Sequence, residues 1–357
     1  MAKKMLEYIE SQPAVWRQAA QTLPAQALAA AENMALAGPI RQVVMVGSGS
    51  SHYAAQAAAW LLNRQGGPRF FAAEPTRLGL FAAPAPDTVY WAVSQSGKST
   101  STQAAVQRLL AAQGRVWALT GDAASPLAAC GGHVLIPCGE ETVGPKTKGV
   151  TTTLLALWLL GLALCRPRQL QSEAQKLAAA FEAARACLPH CRAWAQNCLP
   201  TVCAAPCITL VAEGAALPLA QEGALKLLET LYVPAAAWEF EEYLHGVNNI
   251  IGPGAAHLFV VPAGENRARM LKLIQYCTAR GALCLVIDCA AAPGVQGERL
   301  GLGCVGGDAA LAYQLLPPLQ LLSALGSQAK GFECDKPRYP DFYAALGTKA
   351  GAAAPAP

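Results

Sequence analysis

Seven short apolar runs recur along the chain, each ending near a Gly, Ser, Pro or Asp: 42–46, 88–93, 114–120 and 133–137, then 208–211, 258–261 and 282–287. Runs this short and this continuously apolar read as strands buried on both faces. Between them, apolar residues recur every three to four positions, as at 53–63, 103–110 and 169–195, which is helical spacing. Residues from about Met5 to Leu36 also read as helices, punctuated by Pro13 and Pro24. The most apolar stretch, 154–165, is shorter than the roughly 20 residues that span a bilayer, so it reads as a buried helix.

The same order of elements then repeats. Val43, Val89 and Val116 have counterparts about 165 to 171 residues further on, a shared spacing that argues for internal duplication. Strands alternating with helices predict an α/β protein with two tandem, doubly wound, parallel-sheet domains. The expected division is an N-terminal helical arm (1–36), a first domain (37–168), a helical linker (169–200), a second domain (201–330) and a C-terminal tail (331–357). The tail holds Pro337, Pro340 and several aromatics, so an ordered arm is expected there, with fraying from Gly351 onward.

Composition narrows the function. With 53% hydrophobic and 14% charged residues, a large core is expected. A net charge of +4 without a dense Lys/Arg run disfavours nucleic acid as a partner. No segment predicts a membrane span or a signal core. The thirteen cysteines are scattered, and no CxxC pairs with a second CxxC or a His pair, so no metal is expected. Their odd number and the absence of a signal core suggest a reducing, cytoplasmic setting.

The candidate chemistry lies where strands meet helices. The run at 94–102 contains six hydroxyl residues in nine, between an apolar strand and a helical stretch. An ordinary N-cap needs one hydroxyl, so the excess points to an anion such as a phosphate, held by hydroxyls, backbone N–H groups and the helix dipole. The turn at 47–52 repeats the arrangement: Gly47 and Gly49 permit close approach of a ligand, and Ser50 and Ser51 open a helix. It is neither a dinucleotide fingerprint, since His52 stands where a third Gly is needed, nor a P-loop. Lys146, Thr147 and Lys148 precede the buried helix and suit an anion or a sugar, with a solvated loop as the alternative.

Together these residues resemble the sugar isomerase (SIS) family in its double-domain, flavodoxin-like form. The resemblance is carried by Gly47-Ser-Gly-Ser-Ser51, Ser94-Gln-Ser-Gly97, Thr147-Lys148, Gln221-Glu-Gly-Ala-Leu-Lys-Leu227, Glu229, Glu242-Tyr-Leu-His-Gly246 and Asp335-Lys-Pro-Arg338. It extends to the isomerase half of glutamine–fructose-6-phosphate transaminase, without the glutaminase half, so use of glutamine as an ammonia source is not expected. The resemblance implies that Gly49, Ser50, Ser51, Ser94, Gln95, Ser96 and Ser99, with Lys98 and Lys148, hold a sugar phosphate. It implies that Glu229 moves a proton between C1 and C2, and that His245, sixteen residues later, opens the sugar ring, commonly across a homodimer interface. Glu222 is expected to be structural or a helper. Trp238 and Tyr243 are expected in core packing rather than against a substrate.

Two departures refine the expectation. Lys98 replaces an acidic residue. Phe342 stands where the Schiff-base lysine of the transaminase is expected, with Lys349 seven residues further on. A substrate carrying its own nitrogen fits that change, and the stretch 141–149 resembles the deglycases of fructosamine (Amadori) 6-phosphates. Such chemistry calls for no cofactor. An aldose–ketose isomerase, an amino-sugar phosphate deaminase and a non-catalytic sugar-phosphate sensor remain alternatives.

Overall fold

The computed structural model describes residues 3–80, 83–291 and 296–351. The residues expected to fray beyond Gly351 lie outside this set.

Two five-stranded sheets form, both wholly parallel. The first comprises β1 (Gln42–Val46), β2 (Arg69–Ala73), β3 (Thr88–Val93), β4 (Arg115–Thr120) and β5 (Gly132–Leu135), ordered β2-β1-β3-β4-β5. The second comprises β6 (Ile208–Ala212), β7 (Ala235–Glu239), β8 (Ala256–Val261), β9 (Leu283–Asp288) and β10 (Glu298–Gly301), ordered β7-β6-β8-β9-β10. These are one topology written twice. Counterpart strands begin 166 or 168 residues apart: Gln42 and Ile208, Arg69 and Ala235, Thr88 and Ala256, Arg115 and Leu283, Gly132 and Glu298. The duplication is therefore complete, and the order is the doubly wound one expected.

Three of these strands, β2, β7 and β10, escape the apolar pattern, and each lies at a sheet edge. β2 alternates exposed and buried residues, β7 is Ala-rich and β10 has one buried residue, so none forms a continuous apolar run. By contrast the central strands β3 and β8 are buried at every position.

The helices are α1 (Lys3–Leu36), α2 (Ser50–Leu62), α3 (Thr100–Ala111), α4 (Lys148–Cys165), α5 (Leu170–Ala204), α6 (Ala216–Leu231), α7 (Phe240–Leu244), α8 (Arg267–Ala279), α9 (Asp308–Ala329) and α10 (Phe342–Ala345). The chain divides into two compact units. Among the described residues, one gathers 3–13, 142–147, 177–291 and 296–335 around the second sheet; the other gathers 14–80, 83–141, 148–176 and 336–351 around the first.

α1 corrects the expectation of a stretch broken at its prolines: it runs unbroken through Pro13 and Pro24. Pro13 has no N–H for the carbonyl of Ile9, but Gln12 Nε2 donates to that oxygen at 3.4 Å and replaces the lost rung. A buried stripe of Met5, Ile9, Trp16, Ala19, Leu23, Ala27 and Met34 supplies the rest of the compensation.

α4 is the apolar stretch. Its 18 residues are long and apolar enough by composition to cross a membrane, yet 89% of them are buried inside the fold, which makes it a core helix. Trp16 Nε1 donates to Thr151 Oγ1 at 2.8 Å on its polar first turns, and Gly161 faces α2, where an added Cβ would lie 2.3 Å from Leu62.

Arg115, the first residue of β4, ties the end of α1 to neighbouring loops. Its guanidinium donates to Pro39 O at 2.8 Å, Pro86 O at 3.1 Å, Gly38 O at 3.2 Å and Met34 O. A cation on the last carbonyls of a helix also complements its dipole. Replacement of Arg115 by Ala should cost about 2 kcal/mol of unfolding free energy, read as a lowered urea midpoint with an unchanged slope.

Candidate functional site

In the first sheet the chain reverses its direction of winding between β1 and β3, and the turns that leave these strands lie side by side. That crevice is where ligands of doubly wound sheets bind. Gly47 keeps the strands' ends close: a Cβ there would stand 2.9 Å from Val93 O. Gly49 adopts φ +56° and precedes Ser50, the first residue of α2. Gly97 has φ +63°, and its Cβ would fall 2.1 Å from Ser125 Oγ, so glycine is required both sterically and conformationally.

The starts of α2 and α3 share two features. Neither has an acidic residue in its first turn, and neither cap residue, Gly49 or Ser99, bonds its side chain to a helix N–H. Ser99 Oγ instead joins a hydroxyl cluster, 3.2 Å from Ser101 Oγ and accepting from Thr102 Oγ1 at 3.1 Å. Neither helix start has a side-chain cap, although Thr100 N at the start of α3 donates to Thr348 O at 3.3 Å, and the remaining N–H groups beside Ser50, Ser51, Ser94, Ser96 and Ser99 can hold an anion. Ser94 is buried and closes the turn by accepting from Gly97 N at 2.9 Å, while Lys98 is exposed at its tip.

Gln95 and Lys148 stand differently from these serines. The Gln95 side-chain Nε2 turns away to Cys138 Sγ, at 3.1 Å, and the Gln95 backbone carbonyl accepts from Gly121 N at 2.8 Å. Lys148 is buried at the first position of α4, where Glu141 Oε2 accepts from Gly149 N at 3.0 Å. That helix start already holds a carboxylate, unlike those of α2 and α3. His52 is buried, with Nε2 3.6 Å from Glu74 Oε1, and burial lowers its pKa.

A short C-terminal segment is stitched onto the serine turn. Ser99 and Lys349 form an antiparallel bridge, Thr100 Oγ1 donates to Gly347 O at 2.8 Å, and Ala350 N donates to Lys98 O at 2.9 Å. Lys349 Nζ lies 3.8 Å above the ring of Tyr343, and Phe342 is half exposed on α10. Asp335 is structural: its carboxylate accepts from Lys4 N and Met5 N at 3.0 and 3.1 Å, satisfying first-turn amides of α1.

In the other unit, α6 carries a charge cluster centred on Lys226, to which the sequence pattern alone assigns no role. Lys226 is 1% exposed, with its Nζ 3.3 Å from Glu222 Oε1 and 2.5 Å from Glu229 Oε2. Glu222 is equally buried, whereas the Glu229 side chain is 32% exposed. Burial alone would discharge the ammonium, but the two carboxylates outweigh it and raise the Lys226 pKa. The signal was the spacing, Glu–Lys at i,i+4 followed by Lys–Glu at i,i+3, which puts all three on one helical face.

His245 follows α7 and is exposed. Glu229 pairs with Lys226, not with this histidine. Tyr243 is core, as expected: it is fully buried and its hydroxyl is 2.8 Å from His257 Nε2. Trp238 on β7 is 42% exposed, against the expectation of core packing, because its strand is a sheet edge.

Comparison with known proteins agrees with this architecture. Residues 39–163 and 203–298 match the SIS domain family. The chain is similar to a glutamine–fructose-6-phosphate aminotransferase of Pyrobaculum aerophilum, 28% identical over 94% of this chain and 56% of that protein. It thus spans about half the length of the curated relatives it matches. Its fold is similar to the C-terminal domain of the glucosamine–fructose-6-phosphate aminotransferase of Francisella tularensis, with a TM-score of 0.82 at 21% identity over 94% of this chain and 98% of that one. It is similar also to the tagatose-6-phosphate ketose/aldose isomerase of Escherichia coli, with a TM-score of 0.80 at 20% identity over 94% and 95%. Two matched segments, one on each copy of the duplicated sheet, place the chain in the SIS domain family.

Proposed function

We propose that this chain moves a proton between C1 and C2 of a sugar 6-phosphate, and that its substrate is a fructosamine 6-phosphate, which it cleaves to glucose 6-phosphate and a free amino acid. The observation that carries the reading is Glu229, a carboxylate tethered by a buried cation yet one-third open to solvent. Such a group is fixed in position and can still take and return a proton.

The starts of α2 and α3, which carry no side-chain cap and no first-turn carboxylate, supply the phosphate grip with Gly49, Ser50, Ser51, Ser94, Ser96 and Ser99, and Lys98 adds positive charge beside it. Gln95 and Lys148 play lesser parts, for the reasons their contacts give. His245 assists ring opening, and its exposure after α7 suits action across a homodimer interface. In the open-chain substrate, Glu229 removes a proton from C1 to give an enaminol and returns it to C2. The nitrogen is left in an imine at C1, which water hydrolyses to the aldehyde and the amine. The choice of a substrate with its own nitrogen rests on Phe342, and on Lys349 being occupied by Tyr343 and the bridge to Ser99.

Incubation with a panel of Amadori 6-phosphates should release glucose 6-phosphate and amino acid in equal amounts. Ammonia release, isomerised sugar alone, or binding without turnover would reject the deglycase in favour of the deaminase, the isomerase or the sensor. Glu229→Gln should lower kcat by ~10²–10⁴-fold and leave the affinity for a sugar phosphate nearly unchanged, measured by calorimetry.

Gly97→Ala should weaken that affinity about tenfold through strain in the serine turn. Lys226→Met leaves the buried Glu222 carboxylate without this cation and should cost about 3–5 kcal/mol in urea unfolding. Because the fold raises the Lys226 pKa, its contribution is full below the unfolded lysine value of about 10.4 and fades as pH climbs through the higher folded value. The cost of Lys226→Met should therefore be undiminished at neutral pH and shrink only in strong alkali.

A further inference from the structure

The unit around the second sheet carries a patch of thiols for which proton transfer has no use. Cys187 and Cys191 sit one turn apart on α5, and Cys191 Sγ donates to Cys187 Sγ at 3.7 Å. Helix geometry sets Cα atoms four residues apart at about 6.2 Å, inside the 4.4–6.8 Å range that a disulfide needs. Pro189, between them, cannot donate to the carbonyl of Arg185, so α5 lacks a rung at this turn and can yield there.

Cys187 and Cys191 line a narrow crevice with Leu302 and Gln314. Cys187 is partly exposed and Cys191 is buried. A second pair adjoins the first. Cys304 N donates to Cys289 O at 2.7 Å, and Cys304 is close enough to Cys187 to feel its charge. Gln314 holds the loop carrying Cys304 in place, accepting from Val305 N at 3.0 Å and donating to Val305 O at 2.8 Å.

We propose that Cys187 and Cys191 form a peroxide-sensitive dithiol, in which Cys187 is the oxidised nucleophile and Cys191 the resolving thiol. Their roles differ because their surroundings differ. The Cys191 hydrogen bond stabilises the Cys187 thiolate and lowers its pKa to about 7, whereas the same bond and burial raise that of Cys191. The Cys187 thiolate attacks one oxygen of hydrogen peroxide, the O–O bond breaks, and the departing hydroxide takes a proton to become water. Cys191 sulfur then attacks the Cys187 sulfenic acid, the S–O bond breaks, and hydroxide leaves with the Cys191 proton as a second water. Two thiols lose two electrons in all, and one peroxide becomes two waters.

The test uses the full chain, reduced and then exposed to hydrogen peroxide near stoichiometry at pH 7. Trypsin cleaves after Arg185 and Arg192, so both cysteines fall in the single peptide 186–192. That peptide should become two hydrogens lighter, refuse alkylation and recover on treatment with dithiothreitol. Its oxidation should run faster than that of an ordinary thiol and slow as the pH is lowered and the Cys187 thiolate is protonated. Cys207, which is exposed, serves as the internal comparator. In Cys191→Ser, Cys187 should stop at a sulfenic acid that dimedone traps; in Cys187→Ser, Cys191 should stay alkylatable. Oxidation of Cys207 ahead of the 186–192 peptide, or a Cys187–Cys304 linkage in place of the expected one, would overturn the proposal.

Discussion

A lysine ammonium without contact with water is costly unless carboxylates surround it, and Lys226 meets that condition with two residues of its own helix. The arrangement constrains more than charge. Glu222 is buried, so α6 must keep the face carrying it turned inward, and Gly223 beside it meets Leu319 of α9 so closely that a Cβ would stand 2.7 Å from the side chain. Helix rotation, helix approach and the direction of Glu229 are thereby set together. A freely rotating exposed glutamate would have no such definition.

The two halves repeat one topology but differ at the crevice where each sheet changes direction. After β1 the first half has Gly47 and a run of serines. After β6 the second half has Glu213, whose carboxylate accepts from Asn266 Nδ2 at 2.8 Å. A carboxylate at that place repels an anion, whereas the starts of α2 and α3 carry no first-turn carboxylate. Farther along the second sheet, Asp288 is fully buried and held by Arg267 and Arg299, with Nη1 to Oδ1 at 2.6 Å and Nη2 to Oδ2 at 3.0 Å. The second half thus carries a carboxylate after β6 and an ion-pair network at the end of β9, where the first half has its serine turns after β1 and β3.

What could be read from residues alone followed burial. Strands such as β3 and β8 are enclosed on both sides and so have an unbroken apolar signature. Edge strands β2, β7 and β10 owe their existence to a paired neighbour, and nothing in Arg69–Ala73 or Ala235–Glu239 announces that neighbour. The serine turns were legible because hydroxyls and glycines crowd beyond the needs of a cap. Glu141 at the start of α4 was not, since it reaches Gly149 from eight residues away. Nor was the continuity of α1, which depends on Gln12 turning back to the carbonyl that Pro13 leaves bare. Lys226 was spaced for pairing, but its depth comes from the packing of α6, which local spacing does not encode.

The burial of α4 also bears on how the chain is made. Until enclosed, this segment offers a growing polypeptide the same oily surface that a membrane insertase or an aggregate would accept. Its cover, which includes Trp16 of α1 and Leu62 of α2, lies upstream and has left the ribosome before α4 emerges. Synthesis in this direction gives the hazardous helix a waiting groove, an order that a circular permutation opening the chain just before α4 would reverse.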